Sequence, residues 1–439
     1  RAQLSRVTNV TPGGRALSDN LDAAGMDIAH GAGTVANATI FVRSRPSLLQ
    51  ILRRAIADER FWIVVYVLVV CVATGICVAR RCNNFLIFRA AFDHLRAGHD
   101  LYAHYPAEYD DLFKYSPTFA VLFAPFAEPP YAVSLLAWNA LNVLGLYFAL
   151  KVALPGNQRL EAVQLVGIGL VTTVDGTQSN GVVAALIVLA FAAMERRRIV
   201  AAATAVAVGA LIKLFPLAAI SFAWPRRDRA RFALVLGATI ALLVTVPLLV
   251  TSSATLAAQY RSWFAMGSVD ALDRGASVMR LLHVTVRYDG PNWPIQAAAT
   301  LLLGLPLLLR PRRWRDPDFR RSFLSSVLVY CVIFNHKAEQ PSFIIALVGV
   351  AIWYASSPRG PVRSVVTGAT FAATVPIFLA VTAPGLLTRS LDLPLMIECA
   401  CCSAAWFTIQ GELLELFPDP ATNAVAEAEL AAISDQPAT

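Results

Sequence analysis

Charge is scarce in this chain of 439 residues. Only 15% of the residues are charged, whereas soluble globular domains carry about 25%. Hydrophobic residues make up 57%, and a mean hydropathy of +0.58 over this length requires many apolar segments and not one anchor. The composition excludes an ordinary cytosolic enzyme and predicts an all-α, polytopic membrane protein.

Cysteine is scarce as well. Seven cysteines in 439 residues do not form a disulfide framework, and the three between residues 399 and 402 lack a neighbouring histidine or a second cysteine pair. We interpret these three as small helix-packing residues. The sequence therefore predicts no cofactor, and it gives no support to a divalent metal.

Apolar runs fill most of the chain between residues 61 and 411. The first run, Phe61–Ala79, is long enough to span a bilayer, and a polar tail over residues 1–60 precedes it, so it is not a signal peptide. We predict that this tail is mostly disordered and cytoplasmic, with a short amphipathic stretch at Leu48–Ile56. Ten more runs follow, at approximately 132–150, 160–174, 181–194, 199–224, 232–250, 294–309, 322–335, 341–356, 364–382 and 393–411.

The run 199–224 has arginines at both ends, so a single crossing would place basic residues on both sides of the membrane. Pro216 interrupts the helical hydrogen bonds, and Lys213 is costly in hydrocarbon. We predict two short helices that meet at Lys213, which raises the total to about twelve transmembrane or re-entrant segments. Broken backbone at membrane depth survives only beside protein or a water-filled cavity, so this bend should line a cavity.

The distribution of lysine and arginine predicts the topology. With both termini in the cytoplasm, the cytoplasmic loops hold 17 of these residues in 38 positions, and the external loops hold 11 in 118. Basic residues distributed in this way determine topology and do not form a nucleic-acid-binding surface. The long external loops are 80–131 and 251–293, and residues 412–439 form a cytoplasmic tail.

The first long loop is built like a folded cap. A segment at Phe85–Leu95 is amphipathic, and a second apolar piece at Tyr115–Phe126 is too short to span. We predict that this piece lies at the membrane interface, with Tyr102, Tyr105, Tyr109 and Tyr115 at headgroup level or anchoring the loop.

Five segments in this order resemble one known family. They are Asn84–Ala91, Gly98–Tyr102, Tyr115–Pro117, Gly176–Asn180 and Ile212–Pro216. Over approximately residues 61–411 the chain resembles glycosyltransferase family 87 of the GT-C superfamily, which includes the mannosyltransferases of phosphatidylinositol mannoside synthesis. The resemblance implies a GT-C-like fold, a polyprenyl-phosphate-linked sugar as donor, and a catalytic aspartate just after the first helix.

This chain departs from the family at that aspartate, because Asn84 occupies its position and an amide cannot accept a proton from an acceptor hydroxyl. Replacement bases on the same side are, in order of preference, Asp111, Asp175 and Asp100. Asn84 would then hydrogen-bond the acceptor or the sugar.

The phosphate of such a donor requires cations or hydrogen-bond donors. Lys213 is the first candidate, and the polar run that contains His336 and Lys337 is the second, since the resemblance implies a functional histidine there. Arg280 in the second long loop could add a contact. The polar run between two helices supplies Gln178 and Asn180 as further substrate-binding residues.

These features together predict an integral-membrane, inverting hexosyltransferase. It would move a mannose-like or similar sugar from the polyprenyl-phosphate donor to a lipid or glycan acceptor on the external face of a bacterial inner (plasma) membrane. Its partners would be these substrates and membrane lipids, not nucleic acid. Two alternatives stay open: a transporter or flippase of lipid-linked sugars, for which a broken helix would serve equally well, and an inactive sugar-lipid-binding homologue, which Asn84 suggests.

Overall fold

The computed structural model describes residues 47–270, 272–356, 360–382 and 391–416. Within these ranges the protein contains α-helices and short 3-10 segments and no β-strand, so the predicted all-α class is confirmed. The chain divides into two compact units, Arg1–Phe61 and Trp62–Thr439. Most of the predicted tail over 1–60 and of the predicted tail over 412–439 lies outside the described residues.

The helices have the following bounds in chain order. They are α1 Leu48–Ile56, α2 Glu59–Arg80, α3 Asn83–Ala97, α4 Pro117–Leu122, α5 Ala124–Ala127, α6 Tyr131–Ala153, α7 Gly156–Asp175, α8 Asn180–Glu195, α9 Ile199–Ile212, α10 Arg229–Thr245, α11 Ser253–Asp270, α12 Val278–Val286, α13 Trp293–Leu309, α14 Pro317–Ile333, α15 Phe343–Ser356, α16 Pro361–Thr382 and α17 Asp392–Leu413. The 3-10 segments are Phe215–Ala223, Val246–Leu249, Pro311–Arg315 and Gln340–Ser342.

Five of the described helical stretches are long and apolar enough to cross a membrane. They are α2, α6, α16, α17 and the stretch Arg229–Leu249, which extends α10. A helix of 22 residues, the length of α2, rises about 33 Å, which matches the hydrocarbon core of a bilayer. Shorter apolar helices include α8, α9 and α13. The protein is therefore an integral membrane protein, and the number of twelve segments stays a prediction.

Helix α15 forms the centre of the second unit. Twelve of its 14 residues are buried, and a helix that is apolar on all sides is typical of a core. Gly349 permits a close approach to α14, because a Cβ atom there would lie 2.7 Å from the carbonyl oxygen of Ser325. Helix α17 is fastened to α14 by the indole of Trp406, which donates to the carbonyl oxygen of Ser326 over 3.1 Å.

The predicted interruption at Lys213 is confirmed. Helix α9 ends at Ile212, Lys213 is extended, and a 3-10 segment begins at Phe215. Pro216 explains the interruption, because it has no N–H and its ring would collide with the carbonyl of Ile212 in a continuous helix. The second half is a 3-10 helix.

The first long loop folds into the protein interior. Phe88 on α3 makes edge-to-face contacts with Phe119, Phe123 and Trp138, with centroids 5.2 to 6.0 Å apart. Tyr109 and Tyr115 are 4% and 8% exposed, so their side chains pack against protein, as the anchoring alternative requires. Their depth at headgroup level stays a prediction. Helices α4 and α5 take the place of the predicted interfacial helix, and their apolar side chains pack against protein.

The second long loop is attached to the first. The side chain of Gln259 on α11 donates to the carbonyl oxygen of His99 over 2.7 Å and accepts from the N–H of Leu101 over 3.0 Å. Further along, the N–H of Ala276 donates to the carbonyl oxygen of Ala338 over 2.7 Å. The two long loops and the segment 335–340 therefore form one continuous cap.

A disulfide joins Cys77, near the end of α2, to Cys82, just before α3. The cysteine count did not predict this bond. It closes a short turn five residues long in sequence, so it fixes the direction in which α3 leaves α2. Asn84 lies at the first turn of α3, directly after this turn.

Candidate functional site

A cavity of about 910 Å³ lies between the cap and the helices α9, α13 and α14. One end is polar and contains Asn84, Asp111, Lys114, Gln178, Lys213 and Glu339. The other end is apolar and runs along the 3-10 segment Phe215–Ala223 and α13, with Leu217, Trp224, Leu303 and Leu307 in its wall. The cavity can therefore hold a molecule with a polar head and a long apolar tail.

Lys213 lies at the polar end because of the interrupted helix. Its Nζ donates to Oδ1 of Asn180 over 2.8 Å and to Oε1 of Gln178 over 3.4 Å, and it lies 5.9 Å from the ring centroid of Tyr115. Among the described residues no carboxylate oxygen lies within 4.0 Å of this Nζ. Its hydrogen-bond partners are neutral, so no direct ion pair competes with an anion in the cavity.

Asn180 has a second hydrogen-bonding group at this place. Its Oδ1 is engaged by Lys213, and its Nδ2 is buried with no hydrogen-bond partner in the described residues. Asn180 does not itself line the cavity. The structure therefore brings Lys213, Gln178 and Asn180 together. The sequence analysis named these three residues as parts of one substrate site on separate grounds.

Asn84 lies in the cavity wall, where the resemblance implies an aspartate. Its Nδ2 donates to the carbonyl oxygen of Gly176 over 2.7 Å. One N–H of this amide is engaged there, so its second N–H and Oδ1 remain for a ligand. Asn84 therefore offers a neutral donor and a neutral acceptor to a substrate and cannot take up a proton.

Asp111 is the only one of the three acidic candidates that lines the cavity. Its Oδ1 accepts from the N–H of Leu112 over 2.7 Å, and its Oδ2 pairs with Nζ of Lys114 over 2.9 Å. Partial burial opposes ionisation of Asp111, but these two contacts and the charge of Lys337 outweigh it and lower the carboxyl pKa below its usual value. Asp111 is thus ionised and held in position.

The other two acidic candidates lie elsewhere. Asp175 ends α7 and is half-buried, and it is absent from the cavity wall although its neighbour Gly176 contacts Asn84. Asp100 is exposed in a turn, where its Oδ1 accepts from the N–H of Tyr102 over 3.1 Å. Neither carboxylate faces the place where Lys213 and Asn84 meet the cavity.

The segment 335–340 contributes four residues to the cavity wall, Asn335, His336, Lys337 and Glu339. His336 Nδ1 lies 3.1 Å from Nε2 of Gln296, and Lys337 pairs with Asp273 over 3.0 Å. Glu339 accepts from Nε2 of Gln178 over 3.2 Å. The sequence interpretation selected this segment for its hydrogen-bond donors and therefore missed Glu339. It also missed Lys114, whose position three residues after Asp111 was the available signal.

Arg280 is not part of the cavity wall. It lies on α12 and pairs with Asp392 at the start of α17, with 3.4 Å between nitrogen and oxygen. The charges that do line the cavity are three lysines, at 114, 213 and 337, against two carboxylates, at 111 and 339. The excess of positive charge favours an anionic head group.

The cavity of this helical membrane protein is lined both by lysines and by apolar side chains, a combination that suits an amphiphilic anion. The family profile of glycosyltransferase family 87 matches residues 113–334, just over half of the chain. The chain belongs to glycosyltransferase family 87. The predicted family is thereby confirmed.

Two solved structures are similar to this chain. Both are of ArnT from Cupriavidus metallidurans, one bound to undecaprenyl phosphate and one in the apo state. Each shares 14% sequence identity with a TM-score of 0.34. The first match covers 81% of this chain and 78% of that chain, and the second covers 80% and 77%. No curated protein matches this chain.

Proposed function

We propose that this glycosyltransferase takes its sugar from a polyprenyl-phosphate donor. The sugar is a mannose-like hexose, and a lipid or glycan acceptor receives it on the external face of the membrane with inversion of the anomeric centre. The observation that carries the proposal is the lining of the cavity, where Lys213 occurs together with apolar side chains such as Leu217, Leu303 and Leu307. A donor with a phosphate and a long hydrocarbon tail fits this combination.

Lys213 binds the donor phosphate in this mechanism. An incoming anion stabilises a charged amine that is held only by neutral oxygens more than it stabilises an amine that is already paired with a carboxylate. Asn180 is buried behind the cavity wall and contributes indirectly, because its Oδ1 holds the ammonium group of Lys213 in place. As the bond to the sugar breaks, negative charge grows on the phosphate, and the preorganised Lys213 stabilises it in the transition state.

His336 and Lys337 lie on another side of the cavity. The pairing of Lys337 with Asp273 positions the ammonium group, and the carboxylate offsets part of its attraction for an anion. Lys337 therefore adds to the positive field rather than forming the main phosphate contact. His336, whose ring contacts Gln296, is assigned to the sugar or phosphate head group.

Asp111 is the proposed general base. It is ionised, fixed by two contacts and directed to the cavity. Glu339 is the other carboxylate of the wall, and its bond to Gln178 connects it to the groups around Lys213. We assign Glu339 to orienting Gln178, because its carboxylate accepts from Nε2 of the Gln178 amide whose oxygen contacts Lys213.

The external position of the site rests on two features. The basic residues concentrate in the loops opposite the cap. The disulfide Cys77–Cys82, close to Asn84, is a bond that persists in oxidising compartments and is rare in the cytosol. Both features agree with a cap outside the cytoplasm and with cytoplasmic termini.

The test is a transfer assay with purified full-length protein. Polyprenyl phosphates that carry different sugars are supplied with extracted membrane lipids as acceptors, and the anomeric configuration of any product is determined by NMR. We expect one hexose donor to be consumed with inversion. Movement of the donor between leaflets of sealed vesicles without transfer would instead identify a flippase. Donor binding with neither transfer nor movement would identify an inactive binding protein.

A further inference from the structure

Helix α1 has a sharply divided surface. Seen along its axis, Leu48, Leu49, Ile51 and Leu52 lie within one half, and Gln50, Arg53 and Arg54 occupy the other. None of its residues is buried, and Leu48 and Leu49 are 82% and 68% exposed. Ser47 and Gln50 form a reciprocal cap at its start, so the helix has a defined beginning.

A helix of this length does not maintain itself in water. Nine residues are fewer than the roughly 12 to 15 that an isolated helix needs to be even marginally stable. They rise about 14 Å, so the helix cannot span a bilayer either. Its conformation requires a surface that covers the apolar half and leaves the polar half in water.

The chain brings α1 to the membrane. Only Ala57 and Asp58 separate its last residue from Glu59, which begins the membrane-crossing helix α2. The three steps from Ile56 to Glu59 span at most about 10 Å, so α1 cannot leave the zone in which α2 enters the bilayer. Its two arginines match the anionic head groups of that zone.

We propose that α1 lies in the plane of the membrane, on the side at which α2 begins, with its leucines and Ile51 among the acyl chains and its arginines on anionic lipid head groups. The partner is thus an anionic lipid surface. This surface is separate from the cavity and does not depend on the donor or on the reaction.

The test uses the full-length protein in nanodiscs. Leu52→Cys and, as the matched control on the polar half, Gln50→Cys are each labelled with an environment-sensitive fluorophore, and the signal of the equally treated unsubstituted chain is subtracted. In discs that contain phosphatidylglycerol we expect a blue-shifted, lipid-quenched emission at position 52 and a water-like emission at position 50. Equal, water-like emission at both positions overturns the proposal.

The arginines are tested in the same discs. Arg53→Gln and Arg54→Gln should each lower the ratio of docked to undocked helix about fivefold in anionic discs and leave it unchanged in purely zwitterionic discs. A loss that is equal in both kinds of disc would show that lipid charge has no part. An emission at position 52 that shifts only when a disc holds two copies of the protein would assign the apolar half to a second copy and contradict the proposal.

Discussion

Lys213 owes its chemical character to the groups that surround it. Asn180 and Gln178 hold its ammonium group with amide oxygens and contribute no charge. Neutral amide oxygens position a cation without forming an ion pair that would compete with an incoming anion. The residue can therefore bind a phosphate, whereas Lys114 and Lys337 already carry carboxylate partners.

Replacing Lys213 with methionine should weaken binding of the donor lipid. Loss of one charged hydrogen bond to phosphate corresponds to about a 10- to 100-fold rise in Kd, and methionine keeps most of the side-chain volume. The measurement is titration of polyprenyl phosphate into detergent-solubilised protein. Lys151→Met, at an exposed position near the end of α6, is the control and should bind normally. Unchanged affinity in the Lys213 variant would limit that lysine to a structural role.

Replacing Asp111 with asparagine should lower turnover about 100- to 10,000-fold, which is the usual worth of general-base assistance. Asp100→Asn and Asp175→Asn are the matched controls, because neither carboxylate lines the cavity, and both should retain the native rate. Initial rates at saturating donor give the comparison, and Glu339→Gln is measured beside them. An Asp111→Asn variant that keeps the native rate would exclude Asp111 as the base. If the native chain shows no transfer and Asn84→Asp creates it, the native protein is a sugar-lipid binder.

The acid side of the pH profile should depend on Lys114. The contacts of Asp111 lower its pKa, so the ionised base persists at a pH where an ordinary aspartate, with a pKa of about 3.9, is already protonated. Lys114→Met removes the ion pair and should move the acidic fall of kcat/KM to higher pH. A profile that stays in place in this variant would show that another group limits the reaction in acid.

The sequence was sufficient to select Lys213, Gln178 and Asn180, because a lysine beside a proline and a polar run between apolar helices are both costly unless they meet in a cavity. The sequence could not predict the direction in which the acidic side chains point. Asp175 and Gly176 are neighbours, yet only Gly176 contacts the cavity residue Asn84. In a turn, the direction of a side chain depends on backbone angles that no periodic pattern records.

At the scale of elements, the start of α8 is packed against α6 without free space. A Cβ atom on Gly181 would lie 2.7 Å from the carbonyl oxygen of Asn142, whose side chain also accepts from the N–H of Val182 over 3.1 Å. This contact fixes the beginning of α8 and hence Asn180, one residue before Gly181. The position of the Lys213 acceptor therefore depends on a glycine that touches no ligand.

Gly181→Ala should destabilise the protein by about 1 to 3 kcal/mol, since the new methyl group meets backbone that must move. Gly237→Ala on α10 is the matched control. A Cβ atom there meets nothing within 4 Å, so the better helix propensity should give about 0.5 to 1 kcal/mol of added stability. Thermal unfolding of both variants in one detergent tests the pair. Shifts of equal sign and size would contradict the packing argument.

The elements themselves followed well from the sequence. Apolar runs gave the helices, and Pro216 gave the interruption of α9. The environment of the first loop could not be predicted from the sequence, because the pattern of an apolar face is the same whether lipid or protein covers it. Tyr109 and Tyr115 were expected at headgroup level or as loop anchors for that reason, and in the structure both are buried, with the Tyr115 ring packed against Phe88 of α3 and Phe119 of α4.

At the scale of the whole molecule, the charge distribution predicts which side each loop occupies. A reporter fused after Arg321 should be cytoplasmic, and one inserted within 268–292 should be external. Paired alkaline-phosphatase and fluorescent-protein fusions at the two positions measure this directly. Finding both on one side of the membrane would overturn the twelve-segment topology and the external site together.

The attachment of the second long loop at Gly275 has a consequence for how this protein can change over evolutionary time. Gly275 adopts a positive φ of 43°, and a Cβ atom there would lie 2.7 Å from the carbonyl oxygen of Ala338. Lys337, one residue away from Ala338, pairs with Asp273. The second long loop and the segment 335–340 therefore have to change together. A chimaera that imports the second loop from a relative must import residues 335–340 with it, and substrate preference should transfer between family members as this two-part cassette.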